Sequence, residues 1–101
     1  MEPRVKDKPA SKTDENFKEP DPFKVILLND HYTTMEFVVE VLMVIFNKNA
    51  EDAHKIMLDV HRKGRGIVGL YTWDIAITKA EQVHMVAQAN EFPLKCIVEP
   101  A

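Results

Sequence analysis

Asn29 and Asp30, two residues with oxygen acceptors, directly follow the hydrophobic run of residues 25–28. Thr33 and Glu36 come next, at the spacing of a capping box, in which each side chain satisfies a free backbone N–H at the start of a helix. The pattern therefore predicts a strand, a short loop and a helix whose N-cap is Thr33. In such a loop the amide and carboxylate oxygens can either hold the turn or bind a positively charged group.

A histidine later in the chain bears on that choice. His61 follows Met57 and Val60 at the border of the apolar face of a predicted helix. On spacing alone, His61 is more typical of an edge residue that covers the core, and Met35 is typical of a packing residue. If these residues converge with the loop oxygens, they form a small apolar hole with a polar collar. That site suits a free α-amino group on a large apolar side chain, because the amine carries three N–H donors and a pKa of about 8.

Other chemistry has little support in the sequence. There is no glycine-rich phosphate loop and no Gly-x-Ser-x-Gly elbow. Cys96, the single cysteine, falls in a predicted strand and is typical of a buried thiol. His54 and His61 share a helix face but are separated by a rise of about 10 Å, and His31 and His84 lack partners at zinc-ligand spacing. We therefore expect no enzyme, no metal site and no cofactor.

The composition divides the 101 residues into an arm and a domain. Residues 1–22 contain four of the six prolines and eleven charged residues, so we predict a disordered arm, with one domain over residues 23–101. The arm lacks the apolar core of a signal peptide, and no run is apolar enough to span a bilayer. A net charge of −3 without a basic cluster argues against a nucleic-acid partner. We expect a soluble, cytoplasmic monomer.

The apolar spacing predicts six elements in the order β-α-α-β-α-β. Asn49 and Thr72 are the expected N-caps of the second and third helices, and Gly64 follows the second. Three helices on one face of a three-stranded, mostly antiparallel sheet bury this pattern most simply, which predicts an α+β fold. The predicted strands cover residues 23–28, 66–71 and 94–98, and the predicted helices cover residues 35–46, 50–63 and 73–90.

Several separated motifs resemble those of one known family. Residues 23–38 (FKVILLNDHYTTMEFV) carry the strongest likeness, and MLDVH at 57–61, GLYT at 69–72, TK at 78–79 and PLKC at 93–96 follow in order. Together they resemble ClpS, the bacterial N-degron adaptor of the ClpAP protease. The resemblance covers essentially all of residues 23–101 and leaves the arm unmatched.

The resemblance implies a non-enzymatic adaptor that captures proteins whose first residue is Leu, Phe, Tyr or Trp and passes them to an AAA+ unfoldase. By position, Asn29, Asp30 and His61 would hold the α-amino group, and Met35 would screen out β-branched first residues. The implied lining of the side-chain pocket is Leu27, Thr33, Met35, Val38, Met57, Val60 and Leu94.

The resemblance also implies partners. Asp74 and Lys79 match the family's surface for the N-domain of a ClpA-type unfoldase, with Asp where Glu is usual, and the arm resembles the segment needed for delivery. The alternative is a regulatory interaction domain of the same fold that binds a chaperone or the ribosome without reading N-termini, since fold alone does not give function. The Asn29–Asp30 pair together with His61 favours the adaptor.

Two residues depart from the family pattern. His31 stands where a second acidic residue is common, which should weaken the attraction for an ammonium, and more so if His31 protonates below about pH 6.5. Thr34 replaces the usual Pro, a residue that is pre-organised for the first helical position. We expect this change to soften the loop slightly without abolishing the cap at Thr33.

Overall fold

The computed structural model describes residues 21–101, which form six elements in the predicted β-α-α-β-α-β order. The predicted α+β class is confirmed. Residues 1–20, and with them most of the predicted arm, lie outside the described residues. The elements are β1 (Phe23–Leu28), α1 (Met35–Val44), α2 (Ala50–Lys63), β2 (Arg65–Tyr71), α3 (Trp73–Ala89) and β3 (Lys95–Pro100).

The sheet has β1 at its centre, antiparallel to β2 on one side and to β3 on the other. Side chains alternate between the two faces of a strand, so Val25 and Leu27 point to one face and Ile26 to the other. Ile26 is 0% exposed and lies between its partners Ile67 and Ile97. The register shifts between Val25 and Ile26, an irregularity that periodicity did not predict.

One core cluster joins the three helices to the sheet. In α3 the buried positions recur every three or four residues and have small side chains, which lets this helix lie close to the strands. The buried stripe of α3 matches the predicted one, and α2 buries three of the four apolar positions expected of it. The buried residues of the two helices are Ala53, Met57 and Val60 in α2, and Ala76, Ala80, Val83 and Ala87 in α3.

The start of α1 differs from the prediction. Thr34, not Thr33, is the N-cap, and its hydroxyl oxygen accepts a hydrogen bond from the backbone N–H of Phe37 at 3.1 Å. The Thr33 side chain is instead turned toward Asp30, and its hydroxyl and backbone N–H both donate to that carboxylate. The predicted capping box with Glu36 is therefore wrong by one residue. A Pro at position 34 would offer no side-chain acceptor, so here Thr34 supplies the helix cap.

The other ends follow the predictions more closely. Asn49 caps α2 by accepting from the N–H of Asp52 at 2.8 Å, and Gly64 ends α2 in the left-handed conformation. Thr72 is the N-cap of α3 but makes no side-chain cap bond. Helix α1 is shorter than expected and ends at Val44, while β3 begins after residue 94 and extends to Pro100. Within residues 21–101, no helix has the length and apolar character needed to cross a membrane.

Candidate functional site

A cavity of about 250 Å³ opens between the β1–α1 loop, α1 and α2. We call it the first cavity. It is smaller than the roughly 300–1,000 Å³ of pockets for drug-sized ligands, so it suits a single side chain. Its lining combines polar residues of the loop with apolar residues of the two helices. The lining residues are Asn29, Asp30, His31, Thr33, Met35, Val38, Met57, Val60 and His61.

Strand pairing brings the loop and the end of α2 together. Leu28 at the end of β1 pairs with Arg65 at the start of β2, which directly follows α2. The N–H of Asn29 then extends the ladder by donating to the carbonyl of Gly64 at 3.0 Å. His61 lies three residues before Gly64, in the last turn of α2. Two regions more than thirty residues apart in sequence therefore meet at one side of the cavity. We call the polar residues there, Asn29, Asp30 and His61, the collar.

The apolar part of the first cavity's lining comes from α1 and α2. Val38, Met57 and Val60 are buried, and they belong to the main core cluster. Val60 is held close to the sheet because Gly66 of β2 has no side chain, and a Cβ there would lie 2.7 Å from Val60 Cγ2. Met35 differs from these three because it is 43% exposed, which places it at the mouth of the cavity. A bound side chain would therefore meet a fixed floor and a flexible thioether at the entrance.

The carboxylate of Asp30 organises the loop. Its Oδ1 accepts from the backbone N–H groups of Tyr32 at 2.8 Å and Thr33 at 2.7 Å. Its Oδ2 accepts from the Thr33 hydroxyl at 2.7 Å. Burial raises the pKa of this carboxyl, but the hydrogen bonds from Thr33 and Tyr32, with the nearby charge of His31, outweigh burial and leave the pKa below its ordinary value of 3.8. Asp30 is therefore ionised at neutral pH.

The same carboxylate retains capacity for a ligand. A carboxylate offers about four lone-pair positions, and the loop uses three of them. The remaining position on Oδ2, the amide oxygen of Asn29 and a neutral nitrogen of His61 are all acceptors. Acceptors beside a negative charge are suited to a cationic donor, and apolar side chains line the same cavity.

Two predicted pocket residues lie elsewhere. Leu27, which is 0% exposed, and Leu94 belong to the core cluster, and neither lines the first cavity. Leu27 pairs with Gly66 and Cys96 in the sheet, and its side chain is buried in the core cluster. His31 lines the cavity but was not among the predicted site residues. The family resemblance had indicated that this position affects the attraction for an ammonium, although His31 was not named as a site residue.

The predicted partner surface is on α3. Asp74 is exposed in the first turn of α3. Lys79 is half-buried, and its Nζ donates to the carbonyl of Ile45, the C-cap of α1, at 2.8 Å. The ammonium also lies 5.7 Å from the centre of the Phe46 ring. Lys79 therefore satisfies the end of α1, a role that spacing alone did not reveal.

Nucleophilic chemistry has no support in the described part of the chain. The Cys96 thiol is buried, and burial raises its pKa to about 12, so it stays protonated at neutral pH. The nearest histidine contact is structural, because Nε2 of His84 accepts the backbone N–H of Cys96 at 3.0 Å. Over residues 21–101, no group of three or more His, Cys, Asp or Glu is placed to hold a metal ion.

The fold and the site together define a class: a small α+β protein with a cavity that combines polar acceptors from a loop with apolar side chains from two helices. Comparison with known families makes the assignment specific. Residues 18–97 match the family model described as ATP-dependent Clp protease adaptor protein ClpS. The chain belongs to the ClpS family. ClpS adaptor proteins are non-catalytic, so the predictions of the family and of a protein without enzymatic activity are confirmed.

Individual relatives agree with the family assignment. The chain is 58% identical over 88 residues to the ATP-dependent Clp protease adapter protein ClpS of Acetivibrio thermocellus, covering 87% of this chain and 89% of that one. It is 60% identical over 81 residues to the protein of the same description from Syntrophus aciditrophicus, covering 80% of this chain and 76% of the relative. The predicted function as an adaptor for the ATP-dependent Clp protease is confirmed.

A solved structure extends the similarity to three dimensions. The fold is similar to that of Agrobacterium tumefaciens ClpS2 bound to L-phenylalaninamide, with a TM-score of 0.79 and 37% sequence identity. The similarity covers 82% of this chain and 100% of the other.

Proposed function

We propose that the first cavity binds the N-terminal residue of substrate proteins that begin with Leu, Phe, Tyr or Trp, and that the protein delivers these N-degron substrates to a Clp AAA+ unfoldase. The observation that carries this proposal is a single cavity whose lining joins the acceptors of Asn29, Asp30 and His61 to the apolar side chains of Val38, Met57 and Val60. A free N-terminus with a bulky first residue combines both features in one ligand: an ammonium with three donors and an adjacent apolar side chain.

Three acceptors receive the ammonium in this proposal. They are the amide oxygen of Asn29, the remaining lone pair on Oδ2 of Asp30 and a ring nitrogen of His61. The negative charge of Asp30 strengthens the contact, because hydrogen bonds between charged groups are stronger than neutral ones. The L-phenylalaninamide bound to ClpS2 has a free amino group beside a benzyl side chain, which supports the same ligand class here.

Met35 sets the limit on side-chain shape in this proposal. Its thioether stands at the mouth of the first cavity, close to where the Cβ of a bound first residue would pass. An unbranched Cβ passes such a constriction more easily than the branched Cβ of Ile or Val. The buried floor of Val38, Met57 and Val60 then receives the rest of the side chain. Because this floor belongs to the core, it is expected to keep its shape on binding.

Delivery requires a second surface, which we place on α3. Asp74 is exposed and available to the N-domain of a ClpA-type unfoldase. Lys79 uses one donor for Ile45 and retains two for a partner, since an ammonium has three. The arm that the family resemblance implicates in delivery lies outside the described residues, and cytoplasmic location and a monomeric state remain predictions.

Binding of phenylalaninamide and of its N-acetyl derivative tests the proposed ligand. The two compounds share the benzyl group and differ in the charge and size of the amino substituent. We expect phenylalaninamide to compete with a fluorescent peptide that begins with Phe, and the acetylated compound to compete at least 10-fold more weakly. Equal competition by both compounds would overturn the assignment of the collar to an α-amino group.

A further inference from the structure

A second groove adjoins the polar collar on its outer side. It has a volume of about 320 Å³, and we call it the outer groove. It shares Asn29, Asp30 and His31 with the first cavity. Its other walls are mostly apolar, formed by Leu28, Tyr32 and Pro93, and Lys95 completes its rim.

The position of the outer groove matches the next residue of a ligand. This inference rests on the proposed function, in which the first side chain fills the first cavity and its α-amino group lies on the collar. The second Cα follows the first at 3.8 Å along the chain. The second residue therefore lies close to the collar, and the outer groove adjoins the collar through Asn29, Asp30 and His31. We propose that the outer groove receives the second residue of the substrate, and that Lys95, with a histidine instead of an acid at position 31, makes it favour an acidic side chain.

The charges around the outer groove support this selectivity. The ionisable acid and base side chains that line it are Asp30, His31 and Lys95, with the phenol of Tyr32 beside them. The Asp30 carboxylate accepts three hydrogen bonds within the loop. In the proposed complex it also pairs with the ammonium of the ligand. Among residues 21–101 the ion pairs are Lys63–Asp59 and Arg65–Glu99, and Lys95 is in neither. Its ammonium is the cation left to meet a second-residue carboxylate.

The shape of the outer groove favours a longer acid. Leu28, Tyr32 and Pro93 offer apolar surface to the methylene groups of a glutamate, while Lys95 stands at the rim where its carboxylate would lie. Lys95 is exposed, so the pair is of the solvent-exposed kind. Such pairs contribute little, and we expect an effect of roughly 1.5- to 5-fold in affinity that falls as salt rises.

Two peptides that differ only in charge at the second position test the proposal. The first begins Phe-Glu and the second Phe-Gln, with identical residues thereafter and nearly identical shape. We expect the Phe-Glu peptide to bind roughly 1.5- to 5-fold more tightly by fluorescence anisotropy at low salt, and the ratio to approach one in 1 M salt. The Lys95→Glu variant should reverse the preference.

A matched variant controls for the change in net charge. Lys55→Glu makes the same change on α2, at an exposed position that lines neither cavity. It should leave the Phe-Glu to Phe-Gln ratio as in the wild type, and thermal melts of both variants establish that they are folded. A wild-type ratio of one, or a ratio that Lys95→Glu and Lys55→Glu shift equally, would overturn the assignment of the outer groove.

N-acetylated forms of both peptides separate this proposal from the proposed function. If acetylation does not weaken binding, the collar does not read an α-amino group and the proposed function fails. If acetylation abolishes binding while the two free-amine peptides bind equally, the proposed function stands and the second-residue preference is refuted.

Discussion

Replacing Asp30 with Asn separates the two roles that the structure gives this carboxylate. The amide oxygen of Asn can still accept from the N–H groups of Tyr32 and Thr33, as Oδ1 does in the wild type. The amide nitrogen, however, donates where Oδ2 accepted, so the Thr33 hydroxyl must turn and accept instead. Asp30→Asn therefore keeps the shape of the loop and removes its charge and its remaining acceptor.

The structure gives a magnitude for each role. Hydrogen bonds to charged groups contribute about 1.5–3 kcal/mol and neutral ones about 0.5–1.5 kcal/mol, so the two retained loop bonds together lose about 2–3 kcal/mol of stability. The lost contact with the ammonium is itself of the charged kind. We expect binding of a Phe peptide to weaken by about 1.5–3 kcal/mol, which is roughly 10- to 150-fold. A domain with 5–15 kcal/mol of stability would remain folded.

Denaturant unfolding and peptide binding measure the two effects on the same samples. The stability difference between wild type and Asp30→Asn should also depend on pH. The pKa of Asp30 is lowered in the folded protein, so the unfolded chain binds the proton more readily. The contribution of Asp30 is thus fully present above the ordinary carboxyl value of 3.8 and is lost as the pH falls through the lowered folded value.

Asp59→Asn is the matched control, because it removes the same charge from an exposed ion pair with Lys63 on α2. It should change stability by less than about 1 kcal/mol and leave binding nearly unchanged. If Asp30→Asn binds the Phe peptide as well as Asp59→Asn does, then Asp30 serves only the turn. If it loses no stability, the three hydrogen bonds of the loop do not contribute as described.

Two further substitutions test the neighbouring loop and the gate. Thr34→Ala should lower the free energy of unfolding by about 1 kcal/mol, whereas Thr72→Ala, at an N-cap without a side-chain bond, should cost less; equal losses in denaturant melts would contradict the cap assigned to Thr34. Met35→Ala should open the mouth of the first cavity and raise the affinity for peptides beginning with Ile, relative to Phe, by about 10-fold or more. An unchanged ratio in competition binding would remove Met35 as the gate.

The sequence predicted the fold well because its signals are local and repeated. The apolar stripe of α3, the Asn49 cap and the break after α1 each depend on a few adjacent residues. The errors arise where tertiary contacts decide. Periodicity placed the last strand at residues 94–98, but pairing with β1 extends β3 to Pro100, where an edge strand tolerates proline.

The start of α1 shows a different limit. Thr33 and Thr34 are both good N-caps by residue type, and Glu36 favoured Thr33 through the capping-box spacing. In the structure the hydroxyl and N–H of Thr33 donate to the carboxylate of Asp30, whereas the hydroxyl oxygen of Thr34 accepts from the N–H of Phe37. Residue type and capping-box spacing do not predict the contact with Asp30 that orients Thr33.

The residue types of the site could be predicted from the sequence, but the proximity of Asn29 and His61 could not. Sequence spacing placed His61 on a helix border and Asn29 in a loop, with nothing to join them. The joining element is the antiparallel pairing of β1 with β2, which continues into the bond from the Asn29 N–H to the Gly64 carbonyl. Residue types at the site could thus be named from the motif resemblance, whereas the exclusion of Leu27 from the lining required the packed core.

The double use of Asp30 links loop geometry to ligand charge. A carboxylate held by three short hydrogen bonds cannot move toward the ligand, so it presents its free lone pair in a fixed direction at no further ordering cost. A second carboxylate at position 31 would add attraction for the ammonium, but it would also repel an acid at the second position of the substrate. With His31 at that position and Lys95 in the lining of the same groove, the proposed site has less attraction for the ammonium and no such repulsion of an acidic second residue.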